Sequence, residues 1–329
     1  MIRSVVLLLL LFYAAFADEI RPAFLELTQK SDTSYKVLWK KPTQGETKNP
    51  LKLEPLFPKS AKVVGLKNLR RTNTALLESY VIDEVDALIG KKITIVGLES
   101  TSSDVLVRIH YLDGETEFIR VLPENPSFSL SHQSGFYNMS STYFVLGVEH
   151  ILEGYDHLLF VLALLLLVSN IRMLILTITA FTVAHTITLM LASFEMIQLS
   201  STAVEAIIAL SIVFVAAEVI YAMRGRKHVS AKYPWLIAFG FGLIHGLGFA
   251  GALKEIGLPQ SDIVPSLIFF NVGVELGQLI FVFAVLMIAW VVKKVFTQNV
   301  LRRGETGIAY VIGSLAAFWL IERTVSFLL

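Results

Sequence analysis

Two hydrophobic patterns divide the chain. From Asp18 to Gly135 apolar and polar residues alternate in short runs, at Tyr35–Trp39, Lys62–Val64, Ile93–Val96, Val105–His110 and Thr116–Val121. A period of two bounded by turn residues marks half-buried strands, and Asp113-Gly114 between the last two runs marks a tight hairpin. After Asn138 the alternation gives way to six long apolar segments, 142–168, 171–193, 201–223, 234–253, 263–292 and 305–327. Each is long enough, at ~1.5 Å per residue, to cross a hydrocarbon core ~30 Å thick. The predicted architecture is multi-domain: a polytopic α-helical membrane bundle of about six transmembrane helices over 136–329, preceded by a small extracytoplasmic β-sandwich-like domain over 18–135.

The first residues add a third pattern. Arg3, an apolar run from Val5 to Ala15 and Ala15-Phe16-Ala17 before Asp18 match the basic, apolar and small-residue zones of a secretory signal peptide over 1–17. Export would carry the β domain out of the cytoplasm.

Composition agrees with this division. Hydrophobic residues make up 54% of the chain and charged ones 17%, against ~25% charged in soluble domains. Sixteen of the 28 Lys and Arg and sixteen of the 27 Asp and Glu lie between Asp18 and Gly135, so the charge belongs to one half. That half is near neutral and offers no basic surface for nucleic acid. There is no cysteine, which excludes disulfides, thiolate zinc sites, iron–sulfur clusters and cysteine nucleophiles. Any metal must be held by histidine, carboxylate or amide groups.

Basic residues in the links orient the bundle. Arg172 lies in the first link, Arg224, Arg226, Lys227 and Lys232 in the third, and Lys293, Lys294, Arg302 and Arg303 in the fifth. The other links hold Glu195, Glu255 and Asp262 with a single Lys254. The positive-inside rule puts the odd links in the cytoplasm and both the β domain and the C-terminus outside, in a multi-pass inner (plasma) membrane protein.

Ionisable side chains inside a membrane are costly and mark function. Segment one carries Glu149, His150, Glu153, Asp156 and His157; segment two His185; segment three Glu205 and Glu218; segment four His245; segment five Asn271, Glu275 and Gln278. On a straight helix His150 and His157 share a face but lie ~10.5 Å apart along the axis, so one ion would need partners from other helices unless Gly154 breaks the helix. Asn271, Glu275 and Gln278, at i, i+4 and i+7, form one polar stripe. Counted from the segment ends, His150, His157, His185, His245, Asn271 and Glu275 share a depth between mid-membrane and the outer third, Glu205 is nearer the outer surface, and Glu218 is separate near the inner end. The candidate ligands are His150, Asp156, His157, His185, His245 and Glu275, with Glu149, Glu153, Glu205, Asn271 and Gln278 as polar lining. Several histidines with carboxylates suit a borderline divalent ion such as Ni, Co or Zn, whereas Mg or Ca would take an oxygen cage. Gly242 and Gly246 stand at small-xxx-small spacing for close helix packing, which would bring His245 toward the other ligands. His110 and His132 stand alone and read as ordinary surface or core positions.

The stretch from Gly147 to Phe160 with His150, Asp156 and His157, followed by Phe181–Leu189 with His185, Val204–Ser211 with Glu205, the His245-Gly246 segment and Asn271–Gln278 with Glu275, resembles the HupE/UreJ family of membrane proteins. The closer likeness is to its branch with an exported N-terminal domain and an ending like Trp319-Leu-Ile-Glu-Arg323. The resemblance implies a hydrogenase/urease accessory protein with a role in nickel or cobalt uptake, and its first-helix motif falls on His150, Asp156 and His157. The second motif of the nickel-associated members matches only at His245-Gly246, with Phe241 in place of a histidine and Gly248 in place of a glutamate.

Three functions remain open. The first is a divalent metal permease using the outer-half histidines. The second is a membrane-embedded zinc hydrolase, with Asp156 or Glu275 taking a proton from metal-bound water. The third is a non-catalytic assembly or sensing protein whose residues 18–135 bind a periplasmic or membrane partner.

Overall fold

The computed structural model describes residues 22–44, 49–72, 75–101, 103–132, 136–197, 199–226, 229–256 and 263–328. The signal-peptide expectation over 1–17 lies outside these residues. The chain divides into two units, Asp18–Thr142 and Tyr143–Leu329 with the first residues.

The described residues of the first unit form ten strands: β1 (Ala23–Gln29), β2 (Ser34–Gln44), β3 (Asn49–Pro50), β4 (Glu54–Leu56), β5 (Lys62–Arg71), β6 (Ala75–Asp83), β7 (Lys92–Val96), β8 (Val105–His110), β9 (Thr116–Val121) and β10 (Ser127–Ser129). One sheet runs β5-β6-β2-β1-β8-β9 with β3 added to β2, and a smaller one runs β10-β7-β4. Alternating residues of both, among them Leu25, Leu27, Val37, Trp39, Ile93, Ile95, Val107 and Ile109, share one core. The Asp113-Gly114 turn joins β8 and β9 as an antiparallel hairpin in which Val105 faces Val121. β1 pairs with β8 in parallel, Ala23 opposite Val105. The runs recognised by alternation are parts of longer strands at β2 and β5, whereas β1, β3, β4, β6 and β10 are additional.

The second unit is helical: α1 (Phe136–Glu153), α2 (Tyr155–Leu167), α3 (Ile171–Ser193), α4 (Ser201–Met223), α5 (Pro234–Ile256), α6 (Ile263–Val295) and α7 (Gln298–Leu328). Asn170 starts α3 as an N-cap, its Oδ1 accepting from the N–H groups of Arg172 at 2.9 Å and Met173 at 3.2 Å. Pro234 occupies the first position of α5, where a missing N–H costs nothing. Among the described residues, four helices are long and apolar enough to cross a membrane, or five if the bent pair α1–α2 is one span; α5 is apolar over Pro234–Gly248. The single stretch expected over 142–168 is corrected to two helices meeting at 72°.

The short α2 lies inside the bundle. Phe160, Val161 and Leu164 pack with Leu174, Ile178 and Phe181 of α3, Ile212 and Val215 of α4, Ala238 of α5, Val282 of α6 and Ile312 of α7. Large apolar side chains such as Val183 and Ile187 of α3 and Phe283, Ile288 and Trp290 of α6 remain exposed, as expected of faces turned to lipid.

Candidate metal centre

Gly154 creates the site by ending α1 and starting α2. Its backbone, φ −76° and ψ 91°, lies outside the helical region. A Cβ there would stand 2.8 Å from both the His150 carbonyl oxygen and His157 Nδ1, so only glycine fits. The bend removes the axial separation of a straight helix: the rings of His150 and His157 are 4.9 Å apart between centroids. His185 of α3 and His245 of α5 stand 6.4 and 5.3 Å from the His157 ring. Ligand atoms of His150, His157 and His185 all lie within 4.8 Å of one another.

Close backbone contact sets these positions. Gly242 and Gly246 of α5 lie against the carbonyl oxygens of Phe181 and His185 on α3, leaving no room for a side chain. In a membrane such small-residue contacts replace the hydrophobic drive of water. They also carry His245 to the cluster. Phe160 and Phe181 flank the His245 ring at 5.3 and 5.0 Å, and Phe270 flanks His150 at 5.4 Å. These apolar walls strengthen any charge interaction inside them.

Polar groups stand behind the rings. Asp156 Oδ1 accepts from His157 Nδ1 at 2.9 Å and from the His157 N–H at 2.8 Å. His185 Nδ1 is 3.0 Å from Asn271 Oδ1, and His245 Nε2 is 3.0 Å from Ser211 Oγ. His245 Nδ1 is buried with no hydrogen-bond partner among the described residues, so its lone pair fits a role as a ligand to a borderline cation.

The remaining polar residues fall into separate places. Glu275 Oε1 accepts from Thr179 Oγ1 at 2.6 Å, and Gln278 Oε1 from Thr182 Oγ1 at 3.1 Å. Glu275 and Gln278 form a seam between α6 and α3 outside the three-histidine group, whereas Asn271 of the same helix meets His185 of that group. Glu205 pairs with Arg323 of α7 at 3.1 Å. Glu149 is half-buried and Glu153 exposed on α1. Glu218 accepts from the Ser230 N–H at 2.7 Å and hydroxyl at 2.8 Å, closing the link between α4 and α5. Ser211 and Thr179 were not singled out by the sequence pattern, since a lone hydroxyl in an apolar helix usually serves helix contacts.

In the β domain His132 reaches Asp113 Oδ2 at 2.8 Å, near Glu115, with all three exposed. The Glu115 N–H and then His132 hold the Asp113 carboxyl below its usual value. His110 pairs with Thr116 Oγ1 at 3.2 Å.

A multi-pass helical membrane protein with an N-terminal β-rich domain and a buried histidine cluster is the class these features define. The chain belongs to the HupE/UreJ family: the family described as "HupE / UreJ protein" matches residues 128–323, which hold the whole cluster. No curated protein and no solved structure matches the chain significantly.

Proposed function

We propose that this protein binds and transports a divalent transition metal, nickel or cobalt first, through the histidine cluster. The observation that carries the reading is the convergence of His150, His157 and His185 ligand atoms within 4.8 Å, beside His245. Nitrogen-rich donors favour Ni, Co or Zn over Mg and Ca, and the family membership supports metal handling. Asp156 behind His157 would fix that ring and raise its basicity.

The basic links favour an orientation with the β domain and the C-terminus outside the inner membrane. His185 then lies ~21 Å along α3 from its cytoplasmic start, in the outer half. The Thr182–Gln278 and Thr179–Glu275 pairs lie closer to that start. They would offer weaker oxygen ligands to an ion leaving the histidines inward, so capture is nitrogen-based and release oxygen-based. Residues 18–135 are the surface for a periplasmic or membrane partner. The hydrolase reading is less favoured because Asp156 and Glu275, its two proton acceptors, are engaged by His157 and Thr179.

Uptake of radioactive nickel or cobalt into proteoliposomes tests transport. Accumulation above that of a His157→Ala control is expected, and equal rates would contradict the proposal.

A further inference from the structure

His185 and His245 are both buried, each 1% exposed, and each touches one neutral polar side chain. The hydrogen bonds behind those side chains settle which way each proton points. Asn271 Nδ2 is 2.8 Å from the Leu267 carbonyl oxygen. A carbonyl only accepts, so the amide nitrogen must face Leu267 and Oδ1 must face His185. Oδ1 also only accepts, so His185 carries its proton on Nδ1 and keeps its lone pair on Nε2. Ser211 Oγ is 2.6 Å from the Ile208 carbonyl oxygen. Its single proton is committed there, and the oxygen accepts from His245 Nε2–H. His245 therefore keeps its lone pair on Nδ1, the buried nitrogen with no hydrogen-bond partner among the described residues.

From this geometry we infer that Ser211 and Asn271 are positioning residues, holding His245 and His185 in opposite tautomers so that Nδ1 of one and Nε2 of the other are offered to the metal. The inference rests on the metal reading above and deepens it. A neutral imidazole has two tautomers, and only one presents its lone pair to a given point. Residues behind metal-bound histidines commonly alter metal affinity about 10–100-fold. Both acceptors are uncharged, so they orient the rings without adding negative charge that would attract Mg or Ca. They lie on α4 and α6, away from the sequence motifs that carry the histidines.

The test uses the full chain in nanodiscs with Co²⁺ as the probe. Nitrogen-15 NMR of the metal-free protein labelled at histidine is expected to show His245 protonated at Nε2 and His185 at Nδ1, assigned by single His→Gln variants. Ser211→Ala and Asn271→Ala are each expected to weaken Co²⁺ binding about tenfold or more and to broaden the visible Co²⁺ bands, while Asn271→Asp, which keeps an Oδ acceptor, restores affinity. His245 protonated at Nδ1 would overturn the inference, as would unchanged tautomers and affinity in Ser211→Ala. The tautomer measurement needs no substitution at Ser211 or Asn271, so a variant that fails to fold leaves it standing as the deciding result. The expected tautomers in a protein that takes up no Co²⁺ would overturn the metal reading itself, and with it the role given to these two residues.

Discussion

Gly246 of α5 lies against the carbonyl oxygen of His185 on α3, so the backbone next to one candidate ligand is the contact surface for the helix that carries another. Packing and ligand geometry are therefore one variable here. Gly246→Val is expected to push α3 and α5 apart, costing about 1–3 kcal/mol as an overpacked contact and weakening metal binding at the same time. Gly304→Ala on α7, where an added Cβ meets nothing within 4 Å, is expected to leave both unchanged or slightly improve stability. Thermal unfolding with and without Co²⁺ checks the pair.

The carboxylate behind His157 gives a second prediction. Asp156→Asn keeps the size of the side chain but removes the charge that fixes and polarises the ring. Metal affinity is expected to fall about 10–100-fold with the helical content intact, as read by equilibrium dialysis and circular dichroism. Unchanged affinity would mean that Asp156 serves only to start α2.

On the proposed transport reading, Glu275 would act in release and not in capture. It is held by Thr179 at 2.6 Å, outside the three-histidine group, so Glu275→Gln is expected to slow nickel or cobalt uptake several-fold while leaving equilibrium affinity within about threefold. An equal loss of binding and uptake would place Glu275 among the primary ligands. Parallel binding and flux measurements on one preparation distinguish the two.

The β domain carries an acid-sensitive contact independent of the metal. Glu84 is fully buried, 2.9 Å from Lys91 Nζ and 2.7 Å from Ser60 Oγ. The Lys91 contact above all holds its carboxyl below the ordinary value of 4.5. A lowered folded-state value means that the stabilisation is complete above pH 4.5 and is lost as the pH falls below it. Hydrogen exchange over 23–44 in the full chain is expected to accelerate in that window, and less steeply in Glu84→Gln.

Much of this arrangement is legible in the residues. Long apolar segments identify the bundle because lipid demands ~20 apolar residues per span, and histidines at one depth identify the cluster because burying them needs a reason. Even the bend was conditional on a visible feature, Gly154 between His150 and His157. The pattern did not disclose that Glu275 faces Thr179, because helical periodicity sets a face without setting its partner. Ser211 was invisible for a related reason: its role depends on the Ile208 carbonyl committing its proton, a relation no spacing records. In the β domain, no local pattern discloses that Lys40 and Lys41 are both buried within β2. Lys41 is accommodated there by ion pairs with Glu54 at 2.7 Å and with Glu78. The parallel pairing of β1 with β8 joins segments eighty residues apart, beyond the reach of local alternation.

Metal analysis of the full chain purified in detergent, after equilibration with Ni²⁺ or Co²⁺ and removal of free ion, tests the histidine centre most directly. About one tightly held ion per chain is expected, as for a single-ion centre, lost in the His150→Ala/His157→Ala double variant. Equal metal content in the two proteins, or none in the unsubstituted chain, would contradict it.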